Sequence, residues 1–141
     1  MNSQFTIALH ILGFLAYRAG DSLTSETLAQ TYGTSPVVLR RVLAKLQRAG
    51  LVETRRGPGG GSILAHQASE ITLRQAYEAI SDDSHILPRH PGDGSGRPAL
   101  VLAEYVNGLC IEAEEVLLKR LEQVTVAEMD RYVRTRMCAL E

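Results

Sequence analysis

The segment Leu51-Val52-Glu53-Thr54-Arg55-Arg56-Gly57-Pro58-Gly59-Gly60-Gly61-Ser62-Ile63-Leu64 restricts the possible folds more than any other stretch of the chain. Two short β-prone runs flank a turn made of four glycines and a proline, and two arginines stand at its base. Glycine reaches positive φ without steric cost, so the segment predicts a hairpin with strands near Leu51–Arg56 and Ser62–Ala65. Its tip carries almost no side-chain bulk and can enter a narrow anionic groove. Such a tip suits the wing of a winged-helix DNA-binding domain.

The residues ahead of the hairpin are consistent with that reading. Phe5, Ala8, Leu9, Leu12, Leu15 and Ala16 recur at three- and four-residue spacing and predict a helix over 3–17, ending at Gly20-Asp21. The run 5–16 is short for a membrane span, contains His10 and lacks a basic leader. It reads as a buried helix rather than a signal peptide, with His10 a core or interface histidine. Thr24 or Ser25 can cap a second helix from Glu26 to Tyr32. Gly33-Thr34-Ser35-Pro36 then makes a tight turn, with Ser35 at the N-cap and Pro36 at the first helical position of a third helix reaching Ala49. Leu39, Val42, Leu43 and Leu46 form its inward stripe, leaving Val38, Arg40, Arg41, Ala44, Lys45 and Arg48 largely outside. Two short helices joined by a glycine-containing turn, the second basic on its outer face, make a helix-turn-helix.

Beyond the hairpin, Thr72 caps a helix over Leu73–Ile80. Residues 81–98 are rich in Ser, Asp, His, Gly and Pro and read as a loop. Residues 99–122 then place Leu102, Val106, Leu109, Cys110, Ala113, Val116, Leu117 and Leu121 along one side of a helix about 36 Å long. Thr125 caps a last helix striped by Val126, Met129, Val133 and Met137. The long helix exceeds what the preceding core requires, so its apolar side is expected to meet a second copy of the chain. The fold class is therefore mainly α with a small β-hairpin. A DNA-binding winged helix-turn-helix over 1–80 and a flexible loop over 81–98 lead into a helical dimerisation region over 99–141. The dimer contacts are Leu102, Val106, Leu109, Ala113, Val116 and Leu117.

The formal net charge of −1 conceals an asymmetry. Residues 1–75 hold 8 Lys and Arg against 4 Asp and Glu, whereas residues 76–141 hold 7 against 12. Arg40, Arg41, Lys45, Arg48, Arg55 and Arg56 face one acid, Glu53, within residues 40–56. A local patch rather than the net charge sets the field that a phosphate backbone feels. Two cysteines in 141 residues argue against a disulfide framework and for a cytoplasmic chain.

The pattern Ser35-Pro36-x-x-Leu39-x-x-Val42-Leu43-Ala44-Lys45-Leu46-x-x-Ala49-Gly50-Leu51-Val52, followed by Arg56-Gly57-Pro58-Gly59-Gly60-Gly61, resembles the Rrf-two family of bacterial regulators. Glu70-Ile71-Thr72-Leu73 and Val124-Thr125-Val126 are similar as well. The resemblance implies a winged-helix homodimer that binds a palindromic operator, usually as a repressor. Many members of the family hold an iron–sulfur cluster on three closely spaced cysteines in the loop before the long helix. Residues 81–98 contain no cysteine, and Phe5-Thr6-Ile7 contributes no carboxylate near the start of helix one. The resemblance is therefore to the type that lacks the cluster-binding cysteines, and no cofactor is expected.

The expected DNA contacts divide by chemistry. Val38, Arg40 and Arg41 sit where a recognition helix meets base edges, and arginine can bind guanine O6 and N7 together. Lys45, Arg48, Arg55 and Arg56 suit phosphate, as do Thr34 and Ser35 near a helix N-terminus and Gly59 and Gly60 at the wing tip. A different class of function, a winged helix working through protein contacts, would lack the steep salt dependence of phosphate binding. A cysteine-based redox sensor would use Cys110 and Cys138, although Cys110 on the apolar stripe reads first as a small buried hydrophobe. His85 and His90, with Asp82 and Asp83 nearby, read as loop residues rather than a metal site. No nucleophile–base set or phosphate loop points to an enzyme.

Overall fold

The computed structural model describes residues 3–82, 85–87, 89–90, 92 and 96–141. Its helices are α1 (Ser3–Tyr17), α2 (Ser25–Tyr32), α3 (Pro36–Arg48), α4 (Leu73–Ile80), α5 (Arg97–Glu122) and α6 (Val126–Cys138). A hairpin of β1 (Val52–Arg55) and β2 (Gly61–Leu64) stands between α3 and α4. This is a winged helix followed by a long C-terminal helix, the mainly α architecture that the sequence predicts.

α1 runs through the centre. Its buried residues fall in adjacent pairs (Ile7 and Ala8, Ile11 and Leu12, Leu15 and Ala16), which gives a face wide enough to serve several neighbours at once. Leu28 of α2, Leu39, Val42 and Leu46 of α3, Ile71, and Ile80 of α4 close around it. α6 does not project outward with α5. It returns to pack on α1, and Val126 is fully buried in the same core. The starts of α4 and α6 are clamped together, since Leu73 N donates to the Val124 carbonyl and Val126 N to the Ile71 carbonyl, both at 2.9 Å. Capping boxes hold each start, Thr72 with Gln75 and Thr125 with Glu128.

Thr24, rather than Ser25, caps α2, its Oγ1 accepting from Thr27 N at 3.1 Å. α5 begins two residues earlier than expected, at Arg97-Pro98, where proline suits the first turn of a helix. None of its residues is buried. Leu102, Val106, Leu109, Ala113, Val116 and Leu117 are all exposed, together with Leu100, Val101, Tyr105 and Ile111. The opposite face, carrying Ala103, Asn107, Cys110, Glu114, Leu118 and Leu121, is half-buried. Cys110 therefore does not lie among the exposed leucines, and it is half-buried rather than fully enclosed. His10 is not a core residue. It is exposed beside an open apolar groove of about 460 Å³ between α1 and α6, its ring 4.2 Å from that of Tyr32.

Candidate nucleic-acid interface

α3 is amphipathic because charges and aliphatics alternate at helical spacing. Leu39, Val42, Leu43 and Leu46 point into the core. Arg40, Arg41, Ala44, Gln47 and Arg48 are exposed on the far side. At its entry Pro36 takes the first helical position. Ser35 occupies the N-cap position, but its hydroxyl makes no capping hydrogen bond. Ser35 is exposed and Thr34 half-buried.

The wing is anchored at its root and bare at its tip. The strands pair Val52 with Leu64, Glu53 with Ile63, Thr54 with Ser62 and Arg55 with Gly61. Leu23, from the segment between α1 and α2, adds a bridge to Ser62, donating to its carbonyl at 3.1 Å and accepting from its N–H at 2.8 Å. That close approach dictates Gly61. A Cβ there would lie 2.6 Å from the Leu23 carbonyl carbon, and its φ of 156° is one that L side chains rarely adopt. Gly59 turns the tip at φ 75° with nothing within 4 Å of where a side chain would start. Gly61→Ala is accordingly expected to destabilise the chain by ~1–3 kcal/mol, lowering Tm by roughly 4–10 °C. A thermal melt unchanged within about 1 °C would refute this account of the wing.

Between α2, α3 and the hairpin lies an open groove of about 400 Å³ bordered by Ser25, Glu26, Arg40, Ala44, Gln47 and Thr54. Gln47 hydrogen-bonds Thr54 and so ties α3 to β1. Arg40 crosses to α2, where it ion-pairs with Glu26 and donates to Ser25 Oγ at 3.2 Å. The Arg40 hydrogen bond, then the backbone N–H and the Ser25 hydroxyl, hold the Glu26 carboxyl below its ordinary range. Arg41, Arg55 and Arg56 are exposed and make no ion pair with any described residue. Arg48 is exposed too, near enough to Asp82 to act on its charge.

Two of the expected contacts lie elsewhere. Lys45 is 8% exposed, its ammonium turned away from the basic face and consumed by internal acceptors, so it cannot present a charge to phosphate. Val38 is half-buried against the core on the same flank. Its neighbour Val37 is 62% exposed and takes the outward place expected of Val38. Gln47 belongs to the exposed face as well. Its side chain reaches the hairpin, a contact that becomes legible only once the hairpin is folded back beside α3.

Residues 81–98 supply no thiol for an iron–sulfur cluster, and Cys110 and Cys138 lie on different helices, with Cys138 at the exposed end of α6. The donors present therefore do not fit a cluster held by three cysteines. Among the described residues no three His, Cys, Asp or Glu side chains gather as a metal site. Asp83 lies outside the described residues. His85 instead sits 3.7 Å from Glu114, and His90 is bound to Asn107 through its backbone.

With this geometry in place, comparison with known proteins adds a family. A family model named Rrf2 and described as iron-dependent transcriptional regulator matches residues 1–131. The HTH-type transcriptional regulator IscR of Cereibacter sphaeroides is 37% identical over 82 residues, 57% of this chain and 52% of that protein. NsrR of Bacillus subtilis, also an HTH-type transcriptional regulator, is 35% identical over 81 residues, 57% of this chain and 56% of that protein. The chain thus spans little more than half the length of these relatives. The solved structure of CymR, the global cysteine regulator of B. subtilis, superposes with a TM-score of 0.72 at 22% identity, covering 94% of this chain and 96% of that one. T. potens IscR does so with a TM-score of 0.68 at 20% identity, covering 94% and 87%. At those identities the likeness speaks for the winged-helix fold, and the family match speaks for the lineage. The chain belongs to the Rrf2 family of transcriptional regulators.

Proposed function

We propose that this chain is a sequence-specific DNA-binding regulator that works as a homodimer on a palindromic operator, with repression as its output. The observation that carries the reading is the set of exposed guanidinium groups on α3 and the hairpin, of which Arg41, Arg55 and Arg56 have no carboxylate partner among the described residues, while Arg40 borders the open groove between α2, α3 and the hairpin. Arg40 and Arg41 meet base edges in the major groove. Arg48, Arg55 and Arg56, with the Thr34–Ser35 entry and the Gly59–Gly60 tip, hold the phosphates that set register. Exposed apolar residues of α5 join two copies, which gives the protein the two-fold symmetry of its site. The reading requires no cofactor, because the donors that a thiol-held cluster needs are missing from residues 81–98. No described helix is long and apolar enough to cross a membrane.

Selection of bound fragments from a random or genomic DNA library tests this directly. The expected outcome is an inverted repeat whose half-sites lie about one helical turn apart. Affinity for it should fall with salt on a log–log slope of roughly 0.9 per phosphate contact. Recovery of no preferred site, or an affinity flat in salt, would overturn the proposal and favour a winged helix that works through protein contacts.

A further inference from the structure

Val37 stands apart from the rest of the winged helix. Among residues 3–82 it is the one large hydrophobic side chain left exposed, and every other is buried or half-buried. It lies in the first turn of α3, directly after Pro36, and takes no part in the core that Leu39, Val42 and Leu46 fill. Helix formation does not call for it either, because a β-branched side chain loses χ1 freedom in a helix and is slightly unfavourable there. Arg41, Ala44 and Arg48, four, seven and eleven positions on, share its face of the helix, and all three are exposed. Arg40 and Gln47 lean the other way, held by Glu26 of α2 and Thr54 of the hairpin. The outer face of α3 thus carries an isopropyl group at its N-terminal end, with a guanidinium one turn behind it.

We infer that Val37 reads the 5-methyl group of one thymine in each half-site of the operator. The inference rests on the reading of α3 as the helix that meets DNA. In that docking the N-terminal residues of the helix lie against base edges in the major groove. An isopropyl group there offers neither donor nor acceptor. Among the groups that base pairs display in that groove, the thymine methyl alone is apolar. Any other edge covered by Val37 would lose its water and gain no hydrogen bond in return. Valine therefore specifies one position both by contact with the methyl and by exclusion of the other three bases. Arg41 lies one helical turn further along, about 5.4 Å, so its guanine should fall about one to two base pairs from that thymine.

Deoxyuridine in place of thymine removes the methyl and leaves base pairing and every hydrogen-bonding edge unchanged, so it isolates this contact. In the operator recovered by selection, each thymine is replaced in turn, symmetrically in both half-sites. Binding by the full chain is then titrated for the wild type, Val37→Ala and Val37→Ile. One symmetric pair of replacements should cost the wild type roughly fourfold per half-site, or about fifteenfold overall, the scale of one buried methyl group. Val37→Ala should bind the thymine operator more weakly and lose nothing further at that pair, because the methyl has already lost its partner. Val37→Ile keeps the branched aliphatic surface and should keep the deoxyuridine effect. Val37 is exposed, so neither substitution should change the thermal melt. If no thymine pair shows a methyl effect that disappears in Val37→Ala, the inference is overturned while α3 remains the recognition helix. Recovery of no preferred site would overturn both.

Discussion

Alanine at both Arg40 and Arg41 is expected to abolish discrimination between operator and random DNA while the chain stays folded. Two bidentate arginine–guanine contacts, each worth about 1–3 kcal/mol of discrimination, would be lost, a change on the order of 10²–10⁴-fold in specific affinity. Neither side chain supports the core, because both are exposed. Residual non-specific binding should persist through Arg48, Arg55 and Arg56 and keep its salt dependence. The single variants should differ. Arg41 has no carboxylate partner among the described residues, whereas Arg40 must exchange Glu26 for a base edge. An exposed ion pair of that kind is weak, so the exchange is feasible but not free. Arg41→Ala should therefore weaken binding more than Arg40→Ala, and Glu26→Gln should strengthen it modestly by releasing Arg40. Gel-shift titrations against specific and random duplexes would measure all four variants. An unchanged specificity ratio in the double variant would remove α3 from the role of recognition helix.

The distribution of surprises follows from what local sequence encodes. Helix starts were legible because caps act within three residues. Thr72 and Thr125 cap where expected, through bonds to Gln75 and Glu128. The wing was legible because only glycine tolerates the backbone approach at Gly61. Lys45 was not legible, for a reason of geometry. It stands at the margin of the apolar stripe of α3, where a lysine either snorkels out or turns in according to what awaits it. What awaits it is Asp82, 37 residues later. Its hydrogen bond and the Lys45 and Arg48 charges hold the Asp82 carboxyl below its ordinary range. No window along the sequence contains that pairing. Val38 lies on the same flank, half-buried against the core. α5 was legible as a helix, but the division of its surface was not. Cys110 belongs to the half-buried face with Asn107 and Glu114, the side that His85 and His90 contact.

Glutamate at both Leu109 and Val116 is expected to dissociate the proposed homodimer. The proposal rests on the apolar surface of α5. α5 extends about 39 Å, and Leu102, Tyr105, Leu109, Val116 and Leu117 are all exposed along it. Soluble monomers rarely carry a contiguous apolar patch beyond a few hundred Å² unless it meets something. In a two-fold pair each substitution acts twice, so four large side chains are lost, each worth about 1.5–3 kcal/mol on burial. The dimer dissociation constant should rise on the order of 10⁴-fold or more. Leu109 is 48% exposed and Val116 69% within the chain itself, so helicity and melting of the monomer should change little. Operator binding would fall with the dimer, since one winged helix reaches only one half-site, while the isolated half-site should bind both proteins equally at saturating concentration. Sedimentation equilibrium together with circular dichroism separates these outcomes. A wild-type chain that sediments as a monomer at micromolar concentration, or a variant that remains dimeric, would show that α5 has another occupant.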